Sequence, residues 1–116
     1  MSDVIDKQLG IQQAGGSIDL AKELFGMLLK DLPEQQEQLN QAYNERQLSA
    51  LWDHAHKIHG STAYCGVPRL QSTTQALEEA IRAENWDAIA NGLALVNEAI
   101  ADLLGRGTQL LEEHWP

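Results

Sequence analysis

The sequence predicts an all-α protein: an up-down-up-down antiparallel four-helix bundle with a short additional N-terminal helix. Composition is the first reason, because only 5% of the 116 residues are aromatic while Leu, Ala, Gln and Glu are abundant, which favours helix. Spacing is the second, because apolar residues recur every three or four positions over long segments. The breaks between these segments are only a few residues long, so neighbouring helices are expected to run antiparallel.

A pair of glycines separates the first two predicted helices. A short opening helix is expected from about Val4 to Gln13, and Gly15-Gly16 ends it. Ser17 is the expected N-cap of a long second helix, from about residue 18 to residue 44. Pro33 is predicted to kink this helix or divide it in two. Its inward-facing residues are expected to be Ile18, Ala21, Leu24, Phe25, Leu28, Leu29, Leu32, Leu39, Ala42 and Tyr43.

Glycine and proline also delimit the remaining helices. The third is predicted from about Gln47 to Tyr64, and Gly66 ends it because glycine tolerates positive φ. Pro68 suits the first turn of the fourth helix, which should end near Glu84-Asn85. The fifth runs from about Trp86 through Leu111. The inward-facing residues are predicted to be Leu48, Leu51, Trp52, Ala55, Ile58 and Thr62, then Val67, Leu70, Thr74, Leu77 and Ile81, then Ile89, Leu93, Val96, Ile100, Leu103 and Leu104.

Length, charge and cysteine content narrow the class of function. A chain of 116 residues is expected to form one domain, residues 1–116. The net charge of −9 disfavours nucleic acid and anionic membranes as partners. A lone thiol, the lack of an apolar run of about 18 residues and the lack of a signal-peptide pattern predict a cytoplasmic location. The sequence leaves open whether the chain is free-standing or a module of a longer protein.

His56 is the candidate nucleophile. Helical geometry places it roughly 115° from the centre of the third helix's apolar stripe, so its ring is expected to be exposed. Gly60 follows one turn later and leaves the adjacent surface open, although a mid-helix glycine costs about 1 kcal/mol relative to alanine. A neutral imidazole keeps a lone pair that can attack phosphorus near pH 7. The pattern therefore predicts either a phosphoryl-accepting histidine or, from another class, a helical interaction module whose His56 is never modified.

The segment from Ala55 to Leu70 resembles the histidine phosphotransfer (HPt) domain and, more narrowly, the C-terminal HPt module of hybrid sensor kinases of the BarA/GacS type. In the family pattern, glycines follow the phosphorylated histidine after four and ten residues, and His56, Gly60 and Gly66 match it. The resemblance implies a phosphorelay intermediate, not an enzyme: His56 takes a phosphoryl group from a receiver-domain aspartate and passes it to a response regulator. It further implies a monomer without cofactor, the Mg²⁺ being held by the receiver.

Two supporting positions depart from the family pattern. Many members have lysine three residues after the phosphorylated histidine, where this chain has His59. Either a hydrogen bond from His59 or the charge of Lys57 is expected to take its place. The family often has glutamine on the facing helix, where Glu78 stands; it is expected either to hold the Nδ1–H of His56 or to be a solvated helix residue. The residues predicted to line the partner-binding face are Ser61, Tyr64, Arg69 and Gln71.

Other chemistry is less well supported by the sequence. His54, His56 and His59 invite a metal site, but only the last two share a side of the helix and zinc needs three or four converging ligands. No metal site is therefore predicted. Cys65 lacks a His-Asn or His-Asp pattern and is expected to be a buried thiol. The three tryptophans are expected to be packing residues, and the terminal Trp115-Pro116 is expected to be frayed.

Overall fold

The fold consists of helices, as the composition and spacing predict. The computed structural model describes residues 5–115, and no strand occurs among them. The elements are α1 (Lys7–Gln13), α2 (Ile18–Asn44), α3 (Leu48–Ser61), a 3₁₀ turn (Thr62–Tyr64), α4 (Pro68–Arg82) and α5 (Trp86–Glu112). Val4, where the opening helix was expected to begin, lies outside the described residues.

One hydrophobic core lies between the four long helices. Both α2 and α4 contact α3 and α5, while α1 lies against α2 and the 3₁₀ turn. The protein measures 42 × 22 × 20 Å, and the long dimension is that of the 27-residue helices α2 and α5, which rise about 1.5 Å per residue. The largest fully buried side chains are Phe25, Leu32, Leu39, Leu51, Ile58, Val67, Leu70, Leu77, Ile89, Val96, Ile100 and Leu103.

Side-chain caps fix where three helices begin. The Asp6 carboxylate accepts a hydrogen bond from the Leu9 amide at 3.0 Å, which starts α1 at Lys7. The Ser17 hydroxyl accepts from the Leu20 amide at 3.1 Å, so the predicted cap of α2 is confirmed. The Asn85 side chain accepts from the Ala88 amide at 3.2 Å and starts α5. Each cap satisfies an amide that has no partner within its own helix.

The structure decides between the two outcomes expected at Pro33 and shifts the ends of two helices. Pro33 lies inside α2 without dividing it, because the buried side chains of Leu32 and Leu39 hold the helix on both sides of the proline. The 3₁₀ turn takes over from α3 at Thr62. The fourth helix ends at Arg82, earlier than expected, because Glu84 has φ +52° and turns the chain towards the Asn85 cap.

Several apolar side chains occupy positions other than those predicted. Ile18 and Leu104 were expected inside but are 39% and 37% exposed, because they lie at the margins of their helices' apolar stripes. Trp115 was expected to be frayed but is buried: its ring centroid is 6.1 Å from that of Phe25, and its Nε1–H donates to the Leu110 carbonyl. Pro116 lies outside the described residues.

The fifth helix is more apolar than the sequence analysis recognised. An 18-residue window of α5 has a mean hydropathy of 1.3, so its length and composition alone would suffice for a membrane span. Its buried residues, however, form one stripe that packs on α2 and α4. That stripe consists of Ile89, Leu93, Val96, Ala99, Ile100, Leu103, Gly107 and Leu110. The core of the bundle thus accounts for the apolar character of this helix.

A cluster of side-chain amides joins α2 to α5. The Asn97 side chain accepts hydrogen bonds from Gln36 and Asn40, both at 3.0 Å. It also donates to the Asn40 side-chain oxygen at 2.9 Å. These half-buried amides satisfy one another only when the two helices keep this longitudinal alignment, so the cluster sets how α5 lies along α2.

Replacing Asn97 with alanine should therefore lower the free energy of unfolding by about 1–3 kcal/mol, because the amides of Gln36 and Asn40 lose their partner. Urea denaturation followed by circular dichroism measures this change. Asn91→Ala is the matched control, because Asn91 is an exposed asparagine of the same helix. Equal stabilities for the two variants would contradict a role of the cluster in holding α2 against α5.

Candidate functional site

Helix α3 places His56 on the surface beside a well-packed face. Leu51, Ala55 and Ile58 are fully buried and anchor the helix in the core. The His56 side chain points elsewhere and is 65% exposed. It shares a surface cavity of about 220 Å³ with His59 and with residues of α4. The exposure expected from the helical spacing is present, and a second molecule can reach the ring.

The carboxylate of Glu78 holds the histidine ring from α4. Glu78 is buried, with 6% of its surface exposed. Its Oε2 accepts a hydrogen bond from Nδ1–H of His56 at 2.7 Å. Its Oε1 is in contact with Nδ1 of His59, whose side chain is 27% exposed. Since a buried carboxylate is costly without hydrogen-bond partners, the two imidazoles account for the presence of this acid in the α3–α4 interface.

This contact selects one form of the His56 ring. An ionised carboxylate only accepts hydrogen bonds, so the ring nitrogen facing Glu78 carries the hydrogen. In the neutral imidazole the other nitrogen, Nε2, then has the free lone pair. The arrangement orients a nucleophilic nitrogen away from Glu78.

Trp52 lies one helical turn before His56 and touches it. The two rings are nearly parallel, with an interplanar angle of 13° and centroids 5.4 Å apart. Arg82 of α4 places its guanidinium carbon 4.9 Å from the centroid of the same indole. These separations lie within the usual ranges of ring stacking and cation–π contact.

Gly60, one turn after His56, leaves the opposite flank of the ring open. A Cβ atom added at this glycine would meet nothing within 4 Å. Neither packing nor a positive φ therefore requires glycine here. Along the helix, the ring thus has an indole on its N-terminal side and free space on its C-terminal side.

The structure places the other candidate residues in different surroundings. Lys57 lines a cavity with Asp31, Glu34, Gln35 and Gln38 of α2. Ser61 and Tyr64 line a more apolar groove with Leu24, Met27, Leu28, Asp31 and Cys65. Arg69 forms an ion pair with Asp102 of α5 at 2.6 Å, and Gln71 is half-buried on α4. Of the predicted residues, His56, His59 and Glu78 are joined through their side chains in one group, while the Ser61 hydroxyl donates to the Lys57 carbonyl at 3.1 Å.

Two residues that complete this site, Trp52 and Glu79, were not predicted as site residues from the sequence. Gln75, Glu79 and Arg82 line the same cavity as His56, and Trp52 was assigned to the core alone. The spacing of four residues between Trp52 and His56 is the signal that indicates their contact. The same spacing between Glu78 and Arg82 places both side chains on one side of α4.

His54 and the cysteine face other parts of the molecule. His54 lines a cavity with residues of α2, away from His56. Within residues 5–115, no three His, Cys, Asp or Glu side chains are arranged to hold a metal ion. The Cys65 thiol is buried and donates to the Ser61 carbonyl at 3.2 Å. Burial raises its pKa to about 11, which keeps it protonated at neutral pH.

Comparison with known sequences identifies the family. The model of the Hpt domain matches residues 23–106. Sensor histidine kinase GacS of Pseudomonas protegens is 36% identical over 87 residues, which are 75% of this chain and 10% of the kinase. Signal transduction histidine-protein kinase BarA of Escherichia coli is 38% identical over 78 residues, 67% of this chain and 8% of the kinase. The chain thus spans about a tenth of the length of these curated relatives.

Solved structures agree with this assignment. The HPt domain of a Shewanella hybrid histidine kinase superposes with a TM-score of 0.87 and 25% identity, covering 97% of each chain. A histidine-containing phosphotransfer protein from maize shares the fold, with a TM-score of 0.77 and 19% identity over 94% of this chain and 83% of the maize protein. The chain belongs to the Hpt domain family, and it is a phosphorelay intermediate of two-component signalling.

The raised thiol pKa predicts how alkaline pH affects stability through Cys65. Its stabilising contribution is complete below pH 9, the ordinary value for the thiol, and is lost as the pH rises towards the folded-state value of about 11. Between these limits the wild type should lose about 2 kcal/mol of unfolding free energy relative to Cys65→Ala. Urea denaturation of both proteins at each pH measures this difference. If the unfolding free energies of the two proteins changed with pH in parallel, a raised pKa of the Cys65 thiol would be contradicted.

Proposed function

We propose that His56 is the residue that carries the phosphoryl group. The observation that supports it is an exposed imidazole whose Nδ1–H is held by the buried Glu78, so that Nε2 faces the exterior. The donor is an aspartyl phosphate of a receiver domain, and the acceptor is the aspartate of a receiver in a response regulator. The domain acts as a phosphocarrier within the relay rather than as an enzyme.

The transfer step requires only a lone pair from this chain. The Nε2 lone pair of His56 attacks phosphorus, the N–P bond forms, and the P–O bond to the aspartate breaks with its electron pair leaving on the carboxylate. Onward transfer reverses these events on a second receiver. Phosphoryl transfer depends chiefly on alignment and on stabilising charge on the phosphoryl oxygens. We assign the Mg²⁺ that supplies this stabilisation to the receiver and no cofactor to this domain.

Glu78 supports the step through charge as well as orientation. As Nε2 bonds to phosphorus, the imidazole ring that retains its Nδ1 hydrogen becomes positively charged. The carboxylate 2.7 Å from that nitrogen stabilises the developing charge. His59 holds the second oxygen of the same carboxylate, and this is the supporting role that we assign to it.

The proposed partner surface continues from His56 across α3 towards α2. Gly60 lies on it, and Ser61 and Tyr64 follow towards the groove beside Met27. Tyr64 and Met27 are 58% and 53% exposed, although both are large and partly apolar. Exposed apolar groups around an accessible nucleophile suit a transient protein partner. Lys57 contributes charge at the rim of this surface, whereas Arg69 and Gln71 form its more distant α4 side.

The proposal also includes the order of the helices, the oligomeric state and the cellular location. Turns of three residues follow α2, the 3₁₀ turn and α4, which supports an up-down-up-down antiparallel order for the four long helices. We assign the chain to a monomeric cytoplasmic domain, either free-standing or part of a hybrid sensor kinase. The net charge of −9 supports a protein partner over nucleic acid or an anionic membrane.

Incubation with a phosphorylated receiver domain should label the wild type with an acid-labile, base-stable phosphoryl group. His56→Gln should abolish the label while circular dichroism shows unchanged helicity. His54→Gln is the matched control and should keep the label, because His54 faces α2. Label that persists in His56→Gln would reject His56 as the acceptor. A folded wild type that no receiver of a broad panel labels would favour the unmodified interaction module.

Gly60→Leu should slow transfer about ten- to hundredfold, because a bulky side chain would displace the approaching receiver from His56. Stability should rise by up to about 1 kcal/mol, since leucine favours helix over glycine. Gly105→Leu is the matched control, because a Cβ there also meets nothing within 4 Å but lies on α5, outside the candidate site. If both variants transferred at the wild-type rate, clearance beside the ring would not limit the reaction.

A further inference from the structure

Trp52 has a contact that core packing does not explain. Its indole is half-buried and stacks on the exposed ring of His56, with centroids 5.4 Å apart and an interplanar angle of 13°. An aromatic side chain that served only the core would not need to be parallel to a surface imidazole. The stack therefore restrains the ring of the phosphoacceptor itself.

Arg82 restrains the indole from the facing helix. Its guanidinium carbon lies 4.9 Å from the Trp52 ring centroid, a distance at which a cation is attracted to an aromatic face. Side chains of helix α4 thus contact side chains on two neighbouring turns of α3. Glu78 holds His56 by a hydrogen bond, and Arg82 holds Trp52 through its ring.

The two restraints on His56 are complementary. The hydrogen bond to Glu78 fixes the position of Nδ1 but leaves the imidazole plane free to tilt about that point. The stack on Trp52 fixes the plane but, taken alone, permits the ring to slide. Together they determine the direction of Nε2, whose lone pair must align with phosphorus for in-line attack.

We propose that Trp52, held by Arg82, is a positioning residue for phosphoryl transfer at His56. The proposal rests on the function assigned to His56 above. Trp52 does not touch the phosphoryl group; it keeps the imidazole in the orientation that Glu78 selects. Because the indole covers the N-terminal flank and Gly60 leaves the other flank open, the receiver approaches the ring from the Gly60 side.

The test is single-turnover transfer from a phosphorylated receiver domain to Trp52→Leu over a range of receiver concentrations. The maximal rate should fall about three- to tenfold, the rate equivalent of losing one stacked pair. The receiver concentration giving half the maximal rate should stay unchanged. Trp52→Phe, which keeps an aromatic ring at this position, should recover most of the rate. It also keeps the test valid if the leucine variant is unstable.

Trp86→Leu is the matched control for loss of an indole. Trp86 is also half-buried and also has a guanidinium 4.7 Å from its ring, that of Arg46, but it lies outside the His56 cavity. Its replacement should lower stability in urea without changing the maximal transfer rate. An equal rate loss in both tryptophan variants would assign the effect to general destabilisation and overturn the proposal.

Nuclear magnetic resonance relaxation of the His56 ring supplies a readout independent of transfer. The ring should be more mobile in Trp52→Leu than in the wild type, because the hydrogen bond to Glu78 alone leaves the imidazole plane free to tilt. A leucine variant with wild-type maximal rate and label on His56 would overturn the role of Trp52 and leave the phosphoacceptor intact. Absence of label from His56 in the wild type would instead reject the proposed function.

A double-variant cycle tests how Arg82 acts. If it acts through Trp52, Arg82→Met should slow transfer less than Trp52→Leu does, and the double variant should be no slower than Trp52→Leu. If the two rate losses multiply, Arg82 acts on the phosphoryl group or the receiver independently of the indole. That result would overturn the part of the proposal that assigns Arg82 to holding Trp52.

Discussion

The buried carboxylate of Glu78 is the constraint on which the site depends. An acid in a helix interface is costly unless its oxygens accept hydrogen bonds, and here Nδ1 of His56 and Nδ1 of His59 face the two oxygens. The three side chains meet only if α3 and α4 keep one longitudinal alignment. The interaction that satisfies the buried acid is therefore also the one that orients the exposed imidazole of His56, so stability and orientation at this site have one cause.

The same helix supplies a rigid foundation and a reactive surface. Leu51, Ala55 and Ile58 bury one face of α3 in the core, while Trp52 and His56 lie on an adjacent face near α4. Because the backbone is held by the buried face, small side-chain restraints are enough to direct the imidazole. The long helices α2 and α5, aligned by the amides around Asn97, complete the frame against which α3 and α4 pack.

Local patterns predicted most of the fold, whereas contacts between distant residues limited the prediction of the site. The spacing of Leu51, Ala55 and Ile58 identified the buried face, and hence the exposure of His56. The continuity of α2 through Pro33 and the burial of Trp115 against Phe25 depend on tertiary contacts that local signals do not encode. Glu78 lies 22 residues from His56, so the family resemblance was needed to suggest their contact, and the pairing of Arg69 with Asp102 had no signal.

The placement of the cationic side chains supports a carrier that passes on its phosphoryl group readily. Lys57 shares its cavity with Asp31 and Glu34, and Arg69 is paired with Asp102, while Arg82 lies over the Trp52 ring. In the proposed function, the phosphoryl group on His56 would therefore meet few cations that this domain could direct at its oxygens. If the domain bound the phosphoryl group on His56 tightly, it would lower the free energy of the phosphorylated state and slow onward transfer. The proposed site orients the imidazole but leaves stabilisation of the phosphoryl charge to the receiver. Transfer of the phosphoryl group to His56 and transfer from it would therefore both depend on a receiver being present.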